Sequence, residues 1–197
     1  MLLSLSPCDA IIDHNIVELR SSVKNREDAN GICDFAEGLT LLHVASREGF
    51  FAGVRYLIRR GAEIEARDIH GRTPLHFAAL NGHLRIVRYL IRKGAFVGDR
   101  DDDGRTALHL AAGMGHVGVV RYLLRRGANP NVPDREGLTP LHLAALKGRV
   151  SVIGVLLKAG ARADALDALG RSPCDLAPDD TTRSLLGCGR RVENDRP

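Results

Sequence analysis

An all-α solenoid of stacked helix-turn-helix units with projecting hairpin loops is the fold this sequence predicts, on three observations. A seven-residue segment returns at a fixed step, glycines return at the same step, and the residues between them follow the helical period. Thr73-Pro74-Leu75-His76-Phe77-Ala78-Ala79 comes back as Thr106-Ala107-Leu108-His109-Leu110-Ala111-Ala112 and as Thr139-Pro140-Leu141-His142-Leu143-Ala144-Ala145. Each copy follows the last by 33 residues. A weaker copy begins at Thr40 and a decayed one at Ser172. Gly38, Gly71, Gly104, Gly137 and Gly170 keep the step, as do Gly61-Ala62, Gly94-Ala95, Gly127-Ala128 and Gly160-Ala161.

Each column has a physical reason. Thr73 is a good N-cap, and Pro74 suits the first helical position, where no N–H is needed. His76 falls three residues after the cap, where a ring nitrogen can reach back as glutamate does in a capping box. Leu75, Ala78 and Ala79 share one face, and the alanines let neighbouring helices approach closely. Gly82 ends this short helix in a conformation only glycine adopts cheaply. A second helix follows, with Ile86, Val87, Leu90 and Ile91 as its apolar stripe, until Gly94 stops it. From Ala95 to Arg105 the turn formers Gly98, Asp99, Asp101 and Gly104 predict an extended, hairpin-like loop.

One such unit cannot bury its apolar faces alone, so units must stack. The pattern resembles the ankyrin repeat over about residues 35 to 178, some three-quarters of the chain. The resemblance implies a curved ankyrin-repeat solenoid of L-shaped section, with hairpins at right angles to the helices. Residues 1–34 are expected to be an N-terminal capping segment, a degenerate repeat with Ile11, Ile12, Ile16, Val17 and Leu19 turned inward. Four full repeats are expected to start near 35, 68, 101 and 134, with a partial one from 167. Residues 179–197 would end the C-terminal cap and run into a disordered tail carrying Arg190, Arg191, Glu193 and Asp195.

Composition narrows the class of function. Hydrophobic residues make up 44% of the chain, tryptophan is absent and aromatics are 4%, so the core is built from Leu, Ile, Val and Ala. Cys8, Cys33, Cys174 and Cys188 form no CxxC pair, which predicts reduced thiols in a reducing, cytoplasmic setting. The apolar run Met1, Leu2, Leu3, Leu5 lacks a basic leader and is too short for a signal-peptide core or a membrane span. No membrane association is expected, and a monomer is. Glutamine is missing and arginine plentiful, which fits a thermophilic source.

No pattern of enzyme chemistry survives inspection. Asp99, Asp101, Asp103 and Gly104 reproduce the front of a calcium loop, but the acid needed at its twelfth place falls on Leu110. His43, His76, His109 and His142 recur at the repeat step, which marks a structural hydrogen-bonding element, and His83 and His116 read the same way. There is no G-x-S-x-G, no cysteine with a histidine in context and no glycine-rich phosphate loop. No catalytic residue, cofactor or metal is expected.

Two surfaces are expected to recognise a partner. By resemblance the concave face of hairpin tips and first helices binds another protein. It would display Arg67, Ile69, His70, Arg72, Leu80 and Asn81, then Arg100, Asp102, Asp103, Arg105 and Met114, then Arg135, Glu136, Leu138, Leu146 and Lys147. Its apolar members stand where solvent favours polar ones. The alternative surface is the outer helices, which carry no acid between Pro74 and Ala95, Ala107 and Ala128, or Pro140 and Ala161. Arg55, Arg88 and Arg121 form one column and Arg59, Arg92 and Arg125 another, on helices ~8–10 Å apart. Cations in a last helical turn, such as Arg60, Lys93 and Arg126, favour the helix dipole; those near mid-helix are not explained so. A polyanion, nucleic acid or an acidic protein, would suit these columns, without base-specific reading because stacking aromatics are lacking.

Overall fold

The computed structural model describes residues 6–34 and 36–188. The apolar run at residues 1–5 and the basic tail from 189 onward lie outside the described residues. The chain opens with α1 (Pro7–Ile12), α2 (Ile16–Ser22) and α3 (Arg26–Ala29), then a small antiparallel ladder of β1 (Ile32–Asp34) and β2 (Leu39–Thr40). Helix pairs follow: α4 (Leu41–Arg47) with α5 (Phe51–Arg59), α6 (Pro74–Leu80) with α7 (Leu84–Arg92), α8 (Ala107–Met114) with α9 (Val117–Arg125), and α10 (Pro140–Leu146) with α11 (Val150–Lys158). The last pair is α12 (Pro173–Leu176) and α13 (Asp180–Leu185).

First helices pack in the order α4, α6, α8, α10, α12, and second helices in the order α5, α7, α9, α11, α13. The result is a two-layered, all-α solenoid whose core runs between the layers as one continuous cluster. The alanine pairs Ala78-Ala79, Ala111-Ala112 and Ala144-Ala145 are fully buried in it, as close helix approach requires. At the N-terminal end α1 packs on α4 and α2 on α5, extending both layers. Ile11 and Leu19 are buried there, but Ile12 and Val17 face solvent, contrary to expectation. Among the described residues α1 packs chiefly on α2 and α4, and α2 on α1 and α5, while adjacent helical residues point about 100° apart, so Ile12 and Val17 turn away from the core that takes Ile11 and Leu19.

The repeated histidines lock each unit to the next. Thr73 N–H donates to His76 Nδ1 at 3.1 Å, so the ring proton sits on Nε2, which donates to the Arg105 carbonyl at 3.1 Å. The equivalent bonds run from His43 to Arg72, His109 to Leu138 and His142 to Arg171. Across the turn, His83 Nε2 donates back to the Arg47 carbonyl and His116 Nε2 to that of Leu80, both at 2.9 Å. Glycine is required at Gly82 on two counts: φ is +75°, and a Cβ there would sit 2.5 Å from the His116 ring.

The hairpins are tied in the same serial way. Asp134 Oδ1 accepts from the backbone N–H of Glu136 at 3.0 Å and of Leu138 at 2.8 Å, and Asp68, Asp101 and Asp167 repeat the pattern. Asp101, the second acid of the calcium-like run, therefore commits its carboxylate to the turn itself. Each hairpin also bonds its neighbour through Ile69 N–H to Glu37, Asp102 to His70, Arg135 to Asp103 and Ala168 to Glu136.

The cysteines overturn an expectation. Cys8 pairs with Cys33 and Cys174 with Cys188, at Cα separations of 5.6 and 5.9 Å. They are disulfides, not reduced thiols. Spacing hid them because each partner is brought close by the end cap's own chain reversal, which no CxxC pattern records.

Candidate functional site

The inner surface consists of the hairpins and the exposed edge of α4, α6, α8 and α10. Met114 at the end of α8 and Leu146 at the end of α10 are 50% and 43% exposed, while Leu80 at the end of α6 is half-buried beside exposed Asn81. Lys147 is exposed next to Leu146, and Ile69, His70, Asp102, Asp103, Arg135 and Glu136 are exposed on the hairpins. Leu138 is a correction: it is 6% exposed, since it closes its hairpin onto Asp134 and accepts the His109 bond.

The hairpin arginines expected on this face mostly hold the hairpins together. Arg67 reaches Asp99 at 3.0 Å and the Arg100 carbonyl at 2.9 Å, and Arg100 in turn reaches the Pro133 carbonyl at 2.8 Å. Arg72 pairs with Asp68 at 2.6 Å and covers the Phe77 ring. Arg105 pairs with Asp103 at 3.2 Å and Asp134 at 3.5 Å. Their identities as hydrogen-bonding cross-links follow from which carbonyl lies opposite, and the sequence does not display that.

The histidines beneath this surface are poor candidates for acid–base chemistry. Burial holds His43, His76 and His142 below the usual imidazole range. Burial also pushes His109 down to about 4, against the pull of Asp134. Both nitrogens of each ring are engaged, as described above.

The outer surface has another chemistry. Arg55, Arg59, Arg88, Arg92, Arg121 and Arg125 are all exposed, and none has a carboxylate partner among the described residues. Arg88 lies over the Tyr122 ring at 5.5 Å and Arg92 over Tyr89 at 5.9 Å, so the tyrosines serve as platforms for cations. Two members of this face escaped sequence reasoning. Arg85 and Phe51 join it between α5 and α7, and the available signal was that both depart from their repeat columns.

Serial helix pairs, serial hairpins and a core shared between neighbours define the class: a helical-repeat solenoid. The family model described as ankyrin repeats (3 copies) matches residues 9–101 and 94–167, and the chain belongs to the ankyrin-repeat family. Ankyrin repeats are generally protein–protein interaction modules, and the family is typically non-catalytic. Comparison with the curated proteins finds no match. Among the described residues no helix is long and apolar enough to cross a membrane.

Proposed function

We propose that this array is an adaptor that binds a partner protein through its inner face, with Leu80, Met114 and Leu146 as apolar anchors. The observation that carries this reading is the exposure of Met114 and Leu146 on adjacent first helices whose other sides are buried. Apolar side chains held on rigid helices lose little entropy on binding, and such anchors dominate interface energetics. Ile69, Asn81, Arg135, Glu136 and Lys147 supply a polar and charged rim. Residues 1–34 and 179–197 are assigned as caps and 35–178 as the binding repeats. The paired cysteines favour a setting where disulfides persist, an oxidising compartment or the interior of a hyperthermophile, and the glutamine-free, arginine-rich composition suits the latter.

The test is affinity capture from the native source with the wild type and with Leu80, Met114 and Leu146 each changed to Glu. Partners identified by mass spectrometry should be lost from the triple variant while its far-ultraviolet circular dichroism is kept. Undiminished capture by the folded variant would place the partner elsewhere. A second reading, a polyanion on the outer face, is favoured by the exposed arginines that lack carboxylate partners among the described residues; its test is given with the inference below.

A further inference from the structure

Two residues break the repeat pattern on the outer face, and they break it at one place. Phe51 stands in a column that continues as Leu84, Val117 and Val150. Arg85 stands in a column that otherwise holds Ala52, Gly118 and Ser151. These exceptions meet: the Arg85 guanidinium lies 4.0 Å from the Phe51 ring centroid, with Arg55 over the same ring at 5.8 Å. Phe51 is edge-on to Tyr89 at 5.6 Å, and Lys93 lies 5.8 Å from that second ring.

The rings floor a cleft of about 570 Å³ between α5 and α7. Arg55 and Arg59 enter it from one side and Arg85, Arg88, Arg92 and Lys93 from the other, and among the described residues no carboxylate lines it. A guanidinium resting on a ring keeps its N–H donors in its own plane, free to bind an anion. The helix dipole accounts for cations in the last turn only, which leaves Arg55, Arg85 and Arg88 as repulsion that folding does not require. Toward the C-terminus the charge fades: Gly154 follows Arg121 in its column, and Ala159 follows Arg126. A long duplex would need it to continue, whereas a cleft of this volume suits a small ligand.

We propose that this cleft binds a compact, soluble polyphosphate, a small molecule with several closely spaced phosphate groups. The inference rests on the outer-face reading above and makes it specific. The probe is inositol hexakisphosphate, titrated into the intact oxidised protein by calorimetry at ~50 mM and ~300 mM NaCl, with heparin and duplex DNA run in parallel. One molecule should bind per chain, more weakly at high salt. Arg85→Ser and Phe51→Val, which install residues other repeats carry at those columns, should each weaken binding about tenfold. Arg126→Ser, an equal loss of charge one repeat away, should change it by less than about twofold.

Equal losses from Arg85→Ser and Arg126→Ser would overturn the site, because net charge alone would then explain binding. Binding of heparin or DNA without inositol hexakisphosphate would overturn it while leaving the arginine columns as a polyanion surface. Silence with every probe would remove both readings. Capture only by phosphatidylcholine vesicles bearing phosphoinositides, with no heat from the free ligand, would overturn a soluble ligand in favour of a lipid headgroup.

Discussion

At the scale of single residues, the buried imidazoles set the chain's response to acid. His109 is fully buried, bonded through both nitrogens, and titrates at about 4 instead of 6.5. The unfolded chain therefore binds more protons between these values. The part of the stability that these rings contribute is complete above about pH 6.5 and is lost as pH falls toward 4, with His43, His76 and His142 acting in the same direction, whereas Glu65, raised to about 7 by burial and by Asp99 beside it, acts oppositely. Thermal unfolding of a Glu65→Gln variant, which removes that opposing carboxyl, should show the midpoint falling from pH 7.5 to 4.5; a flat profile there would mean the rings are not held neutral. Replacing the side chain, His109→Ala, removes both bonds and leaves a cavity, and urea unfolding should register a loss of about 3 kcal/mol. Ser46 behaves oppositely. It occupies the column of Ala79, Ala112 and Ala145, is fully buried, and its hydroxyl finds no partner among the described residues. Ser46→Ala should raise stability by about 1 kcal/mol, and a decrease would reveal a hydrogen bond not accounted for.

At the scale of elements, the hairpin is the least forgiving part of the repeat. Its aspartate satisfies two backbone N–H groups, its glycine turns the chain, and its amide meets the preceding hairpin. Among the hairpin glycines described, Gly137 meets the nearest backbone: φ is +78°, and an added Cβ would lie 2.7 Å from the Ala168 nitrogen. The obstacle is backbone, which cannot swing aside as a long side chain would. Gly137→Ala should therefore cost about 2 kcal/mol, combining left-handed strain with the displaced contact. Equilibrium denaturation is the measurement, and a near-neutral result would show that adjacent hairpins are not held in register.

At the scale of the whole molecule, a solenoid is weakest at its ends, where each terminal unit has one neighbour instead of two. Both ends here are cross-linked: Cys8–Cys33 ties α1 to β1, and Cys174–Cys188 ties α12 to the segment after α13. Closing loops of this length is worth about 3 kcal/mol each through the unfolded chain. Reduction should unfold the caps ahead of the inner repeats, seen as faster amide exchange in α1–α3 and α12–α13 with α6–α9 protected. Unchanged exchange at the ends would assign the disulfides no stabilising part. The same one-dimensional logic separates the two proposed recognition surfaces, since inner helices and hairpins face one way and outer helices the other.

Much of this was legible from spacing alone. A step of 33 residues, a threonine cap answered by histidine three residues on, and glycine after each helix are local rules that fix the repeat, its helices and the order of stacking. Exposure of Met114 and Leu146 could be read off in the same way, because helical period decides which residues a neighbour covers. Tertiary structure decided the rest. Which carbonyl receives each His Nε2, why Leu138 is buried, how the cysteines pair and where Arg85 meets Phe51 depend on atoms from different repeats arriving within hydrogen-bond or van der Waals range. Periodicity determines what each unit is; only the packed stack determines what one unit does to the next.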